Sequence, residues 1–266
     1  MSKRTINRTA WTLAIAGSVM LATRAFPQES SKTATESKPN IVLVHGAFAD
    51  GSSWSKVVGL LQKKGYNVTA AQIPLTSLED DVAVTRRVLD AQKGPTVLVG
   101  HSYAGLVISE AASGASNVSG LVYIAAFGLD EGESIDALSK QGPAPPGSAA
   151  IHPDPQGYLW LDRSAYPKVF AGDVNPAEAS VMAAVQKPWA YKALTTKAGP
   201  PAWKNKPSWY LVSTNDQMIP PDAQRVMSKR MGATIRTVPS SHAVMVSHPK
   251  EVVDIITLAA ASKGTK

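Results

Sequence analysis

Thr96-Val97-Leu98-Val99-Gly100-His101-Ser102-Tyr103-Ala104-Gly105-Leu106-Val107-Ile108 is the stretch on which the reading of this chain turns. An apolar run rich in β-branched residues, of the kind that forms a buried strand, ends at Gly100, and small and apolar residues able to start a helix follow at once. Ser102 sits between them. A sharp strand–turn–helix connection of this kind strains the serine backbone and lifts its Oγ above the sheet edge. Glycines flank the serine because a Cβ there would collide with the neighbouring strand or helix. The pattern is G-x-S-x-A-G. Ala104 stands where a second glycine is usual, so one methyl must fit between helix and strand, and Gly105 follows it. Such strings also occur in ordinary βα turns, so the motif has to be weighed with the rest of the chain.

On the N-terminal side, Asn40-Ile41-Val42-Leu43-Val44 reads as a buried strand that runs directly into His45-Gly46-Ala47-Phe48-Ala49-Asp50-Gly51. Residues 54–64 then read as a helix with Ser53 as N-cap and Gly65 as its stop. Residues 66–71 form the second strand, and Thr76 with Glu79 suggests a capping box for a helix reaching Gln92. On the C-terminal side, residues 118–126 supply a fourth strand. Strict alternation of strand and helix predicts a parallel sheet with helices on both faces. The alternation breaks over residues 128–207, where Pro143, Pro145, Pro146, Pro153 and Pro155 punctuate a loop and weaker helical pieces carry scattered aromatics; an inserted cap accounts for a stretch of that length better than a plain loop does. The sheet resumes at residues 209–213. A helix over 221–230, a sixth strand over 233–238 and a last helix over 249–262 complete the expected domain, residues 40–266.

In an open parallel sheet the C-terminal ends of the strands share one edge, where ligands bind. Three of those ends offer side chains suited to acyl transfer: Ser102 after the third strand, Asp216 after the fifth and His242 after the sixth. A serine hydroxyl is a poor nucleophile in neutral water. It needs a base near its Oγ, and the base needs a carboxylate to fix its tautomer and steady the imidazolium that forms. Asp216 would equally suit a turn or an N-cap, and Asp130 and Glu131 are the alternative acids. Of the other histidines, His248 reads as a surface or capping residue, His101 as pointing away from Oγ, His152 as exposed in the proline-rich loop and His45 as structural, its ring bonding to backbone. An oxyanion hole needs two backbone N–H donors. Tyr103 offers one and Ala47 the other, with Phe48 as Ala47's neighbour and substitute.

The 266-residue chain is 44% apolar, enough to bury one large α/β core, and it has no cysteine, which removes disulfides and thiol chemistry. Its first residues, Lys3-Arg4 and Arg8 ahead of a short apolar run over 10–22 and then Thr23-Arg24-Ala25, predict a signal peptide cut after Ala25 and thus a periplasmic or secreted protein. The run is too short for a spanning helix, so no stable membrane insertion is expected after cleavage. Residues 26–39 read as a solvated linker. Loss of Lys3, Arg4, Arg8 and Arg24, with no acid in the segment, lowers the formal charge from +7 to +3. With no basic cluster left, nucleic acid is not an expected partner.

His45-Gly46-Ala47, Gly51-Ser52-Ser53-Trp54, Gly100-His101-Ser102-Tyr103-Ala104-Gly105, Ala125-Ala126-Phe127 and the segments holding Asp216 and His242 together resemble the α/β-hydrolase superfamily. The resemblance is strongest to the branch of plant methyl esterases, hydroxynitrile lyases and their small bacterial esterase relatives. It implies an α/β fold with a six-stranded, mostly parallel, doubly wound sheet and an inserted helical cap, and no cofactor or metal. The lyases of this branch carry threonine where this chain has Gly46 and lysine where it has Ala243, so the resemblance turns toward hydrolysis of small apolar carboxylic esters. Phe48, Tyr158, Trp160, Phe170 and Trp189, with Tyr191 and Trp203, are candidates to line an apolar pocket for such an ester. A non-catalytic small-ligand receptor on the same fold and a lyase using the same three side chains are the alternatives. Lactones, amides and peroxyacid formation remain open to the same chemistry.

Overall fold

The computed structural model describes residues 38–262. The residues read as signal peptide, 1–25, and all of the linker except Lys38 and Pro39 lie outside them. Four strands come first: β1 (Asn40–Val44), β2 (Val68–Ala71), β3 (Thr96–His101) and β4 (Val118–Ile124). Helices α1 (Ser55–Lys63), α2 (Leu78–Asp90) and α3 (Ala104–Ala111) connect them. Between β4 and the next long strand lie α4 (Ile135–Ser139), β5 (Ile151–Pro153), β6 (Tyr158–Leu161), α5 (Tyr166–Val169), α6 (Pro176–Val185), β7 (Trp189–Ala190) and α7 (Tyr191–Thr195). The main sheet continues with β8 (Ser208–Ser213), α8 (Pro221–Arg230) and β9 (Thr234–Val238), and the chain ends in α9 (Val244–Ser247) and α10 (Pro249–Ala261).

The six long strands pair in the order β2-β1-β3-β4-β8-β9, all parallel. β1 and β3 are buried along their whole length, as expected of strands covered on both faces. α1 packs against α10 on one face of the sheet, and α2 against α3 on the other; right-handed crossovers between parallel strands favour such a two-sided layout. The strand order reverses at β1. Its C-terminal end and that of β3 therefore flank the switch point at which open α/β sheets bind ligands, and residues 45–48 and 102–103 leave the sheet there.

Two helix starts differ from the sequence reading by a residue or more. A 3₁₀ turn, Gly51–Trp54, precedes α1, and its cap is Asp50, which accepts from Ser52 N at 2.7 Å. Ser53 Oγ instead donates to the Asp50 carbonyl. α2 is capped by Ser77, whose Oγ accepts from Asp80 N at 3.1 Å, while Thr76 and Ser77 both donate to the Asp80 carboxylate. In both places neighbouring side chains could fill the same role, and local geometry chooses among them.

The inserted segment is not purely helical. β5, β6 and β7 form an antiparallel sheet of their own. A turn at residues 154–157 joins β5 to β6: Asp154 Oδ1 accepts from Gln156 N and Tyr158 N, and Gly157 takes φ +83°. The prolines that suggested a loop lie before this sheet, on its edge strand β5 and in the turn after it, where a missing N–H is tolerated.

Candidate active site

Ser102 has φ +56°, a left-handed backbone that a β-carbon disfavours, at the junction of β3 and α3. Its N–H is spent on the Ile124 carbonyl and its C=O accepts from both Gly105 N and Phe127 N, so the turn is held from three sides. The glycines around it are needed for space. A Cβ on Gly100 would lie 2.6 Å from the Ala104 carbonyl oxygen, and one on Gly105 would lie 2.2 Å from that of Phe127. Ala104 fits as it stands, fully buried.

Gly46 faces this turn across the switch point. A Cβ there would sit 2.7 Å from Ser102 Cβ and 2.9 Å from the His101 carbonyl. A threonine at 46 could not share this backbone with the serine where it is. His45 Nδ1 hydrogen-bonds the Gly46 carbonyl at 3.0 Å, and its Nε2 accepts from Ile73 N at 3.2 Å, which places the ring proton on Nδ1. Burial lowers the His45 pKa to about 4, so the ring stays neutral in this role. Because a trans peptide is planar, tying down the Gly46 oxygen also sets the opposite direction of the Ala47 N–H. Among the described residues, the N–H groups of Ala47, Phe48 and Tyr103 make no hydrogen bond to the chain.

The structure brings His242 and Asp216 together: Nδ1 lies 2.7 Å from Oδ2, with both side chains buried. The same Oδ2 accepts from Gln224 Nε2 at 2.8 Å, and Oδ1 accepts from Met218 N at 2.7 Å and Ile219 N at 3.0 Å. Asp216 is thus both the turn aspartate and the partner of His242. With Nδ1 engaged, Nε2 is the nitrogen of His242 left to exchange a proton. Ser102 Oγ has no hydrogen bond among the described residues, and Ser102 is 7% exposed, against 1% for His242. The alternative acids are elsewhere: Asp130 pairs with Lys204 at 2.5 Å, and Glu131 is exposed.

Two residues that support the site carried no strong signal in the sequence. Gln224 projects from α8 into the interior, where its Oε1 accepts from Ser213 N at 3.1 Å while its amide N–H groups hold Asp216 and the Ile219 carbonyl. His101 Nε2 lies 2.9 Å from the His242 carbonyl, so it donates and fixes the backbone of that residue. Burial, then the neighbouring His242, keeps the His101 pKa well below the usual range. The inward face of α8 is Gln224, Met227 and Ser228, only one of them apolar, so the helix pattern carried no cue that singles out Gln224. His248 pairs with Asp173 at 3.3 Å at the start of α10, and His152 is exposed on β5.

Three of the expected pocket aromatics gather here. Phe170 lies edge-on to the His242 ring, 4.8 Å between centroids. Trp189 contacts Phe48 at 6.1 Å and Tyr103 at 5.0 Å, and its buried indole N–H has no aligned acceptor among the described residues. Tyr158 and Trp160 do not join them. On β6 it is Leu159 and Leu161 that enter the core, and a strand sends alternate side chains to opposite faces. Trp160 Nε1 donates to Asp154 at 2.9 Å on the outer side. Tyr191 is 48% exposed, and Trp203 bonds the Leu129 carbonyl through its indole. A surface cleft of about 230 Å³ lies between residues 49–56 and α6, with Tyr166 in its wall and Ser102 outside it.

Residues 41–255 match the model of the alpha/beta hydrolase family. The chain belongs to that family. It is 27% identical over 250 residues to a pyrethroid hydrolase of Sphingobium wenxiniae, covering 82% of this chain and 86% of that one. It is 23% identical over 268 residues to methylesterase 17 of Arabidopsis thaliana, covering 85% and 93%. The crystal structure of a pyrethroid hydrolase from Sphingobium faniae superposes with a TM-score of 0.74 at 25% identity, over 85% of this chain and 98% of that one. The family expected from the sequence is thus the one found, and a methylesterase is among the relatives.

Proposed function

We propose that this chain, a carboxylic ester hydrolase by family, cleaves small, uncharged, apolar esters through Ser102, His242 and Asp216. His242 Nε2 takes the Ser102 proton as Oγ attacks the ester carbonyl, and returns it to the departing alcohol. Water then attacks the acyl-enzyme with the same base. The N–H groups of Ala47 and Tyr103 receive the oxyanion at the switch point. Ser102 Oγ, unbonded at rest, turns to His242 when substrate is held; contacts of this kind are often loose before binding. The reading is best supported by the left-handed backbone of Ser102, φ +56°, facing unbonded N–H groups across Gly46. Phe48, Phe170 and Trp189 supply an aromatic surround with no charged group among them, which favours uncharged acyl and alcohol parts. The hydrolase and methylesterase names of the relatives agree with it.

The basic and apolar N-terminus supports export, and the reaction is proposed to take place in the periplasm or outside the cell. The test of the chemistry is labelling of the whole chain with a fluorophosphonate, followed by peptide mapping, together with stopped-flow hydrolysis of p-nitrophenyl acetate. The expected result is one label on Ser102 and a burst of one nitrophenol per chain, both abolished in Ser102→Ala. Turnover that survives in Ser102→Ala would refute the assignment.

A further inference from the structure

Asp81 is buried to 0% exposure on α2, yet the chemistry just proposed makes no use of it. Its two oxygens are divided between two parts of the molecule. Oδ1 accepts from Leu75 N at 2.7 Å, and Oδ2 accepts from the Tyr103 hydroxyl at 2.7 Å. Tyr103 follows Ser102 directly, and its N–H is one of the proposed oxyanion donors. Leu75 is also unusual: it takes φ +65°, a strained backbone for a branched side chain that neighbours have to hold in place. Its carbonyl accepts from Ala190 N at 2.9 Å, which ties β7 of the inserted segment, and so Trp189, to the same point. Trp189 closes the circuit by resting on the Tyr103 ring.

Residues 73–75 therefore form a bracket. On one side are His45, which accepts from Ile73 N, and Lys187, which donates to the Ile73 carbonyl. On the other is Asp81. Burial raises its pKa to about 6, with Lys187 and Asp80 as the charged groups acting on it, so at neutral pH it is an ionised acceptor. Burial and then the Asp81 charge push the Tyr103 phenol well above its ordinary range, so the hydroxyl keeps its proton and donates. Charge-assisted hydrogen bonds of this type are short and strongly directional.

We propose that Asp81 is a positioning residue for ester hydrolysis: through Tyr103 and Leu75 it fixes the backbone beside Ser102 and the wall formed by Trp189 against one another. The inference rests on the esterase reading above, and it concerns alignment rather than substrate contact. Losing it should lower turnover more than binding, because small displacements of donors from the developing oxyanion are felt chiefly in the transition state.

The test compares wild type, Tyr103→Phe, Asp81→Asn and the double variant on p-nitrophenyl acetate, with active sites counted by fluorophosphonate titration and Tm measured for each. Asp81→Asn keeps an oxygen for Leu75 N, and Tyr103→Phe removes only the hydroxyl, so each is expected to fold. Each single change should lower kcat per titrated site about tenfold with KM within about twofold. The double variant should be no worse than the poorer single, since both act on one shared bond, which Tyr103→Phe removes and Asp81→Asn turns from a charge-assisted bond into a neutral one. Unchanged kcat per site in Tyr103→Phe, or losses that multiply in the double variant, would overturn the proposal. A wild type that neither labels at Ser102 nor turns over ester would instead remove the esterase reading, and this inference with it.

Discussion

Asp216 shows how much one side chain can be asked to do. Its Oδ1 closes the turn through Met218 N and Ile219 N, while Oδ2 meets His242 and Gln224. Four donors on one carboxylate leave it no freedom to rotate, which fixes the imidazole in the tautomer that presents Nε2. Asp216→Asn keeps the shape but puts an amide N–H against another donor, so the ring loses its orienting acceptor. We expect kcat on p-nitrophenyl acetate to fall by about 10⁴ with the fold retained by circular dichroism. A fall of less than tenfold would mean that another acid supports His242. The sequence pointed to Asp216 through its place after a strand. It did not point to Gln224, because nothing in the pattern of α8 separates a buried glutamine from an exposed one until the turn at 216–219 is seen folded over it.

The elements separate in the same way. β1, β3 and α3 were legible because continuous apolar runs and bare glycines leave few other ways to be built, and a Cβ at Gly105 would reach the Phe127 carbonyl. The helix starts were displaced because Asp50, Ser53, Thr76 and Ser77 all have the oxygen a cap needs, and only backbone direction chooses. The small antiparallel sheet of the inserted segment was missed because its strands are only two to four residues long and prolines lie in and beside the first of them. That sheet decides which aromatics face inward, and it yields a discriminating pair of variants. Trp189→Ala removes a ring that contacts Phe48 and Tyr103 and should raise KM for aryl esters at least several-fold, whereas Trp160→Ala, on the outer side of β6, should leave KM within about twofold. Steady-state kinetics with p-nitrophenyl butyrate checks both, and equal effects would place the ligand against the outer face instead.

Across the whole molecule, buried titratable groups make stability depend on pH, and His45, His101 and Asp81 are three of them. Burial lowers His45 to about 4 and His101 well below its usual range, and raises Asp81 to about 6. For the histidines the folded chain resists protonation, so their stabilising contribution is present above about pH 6.5 and is lost as pH falls. Asp81 acts in the opposite direction: the folded chain holds its proton more tightly than the unfolded chain, so its contribution is full below about pH 4 and lost as pH rises to about 6. That amounts to about 3 kcal/mol. Asp81→Asn removes the opposing contribution, so between pH 7 and pH 4 the variant should lose about 2 kcal/mol more stability than wild type in urea titrations. A difference between the two proteins that does not change with pH would show that Asp81 does not titrate in this range. The order of Ser102, Asp216 and His242, each just past a strand, is written in the covalent chain, because short loops and right-handed crossovers allow few other layouts for alternating strands and helices. The Asp216–His242 contact, the clasp of Gln224, the support of His101, the bracket at Asp81 and the inward turn of Phe170 and Trp189 arise between segments distant in the chain. No local periodicity carries them, because each depends on how packed elements rotate against one another.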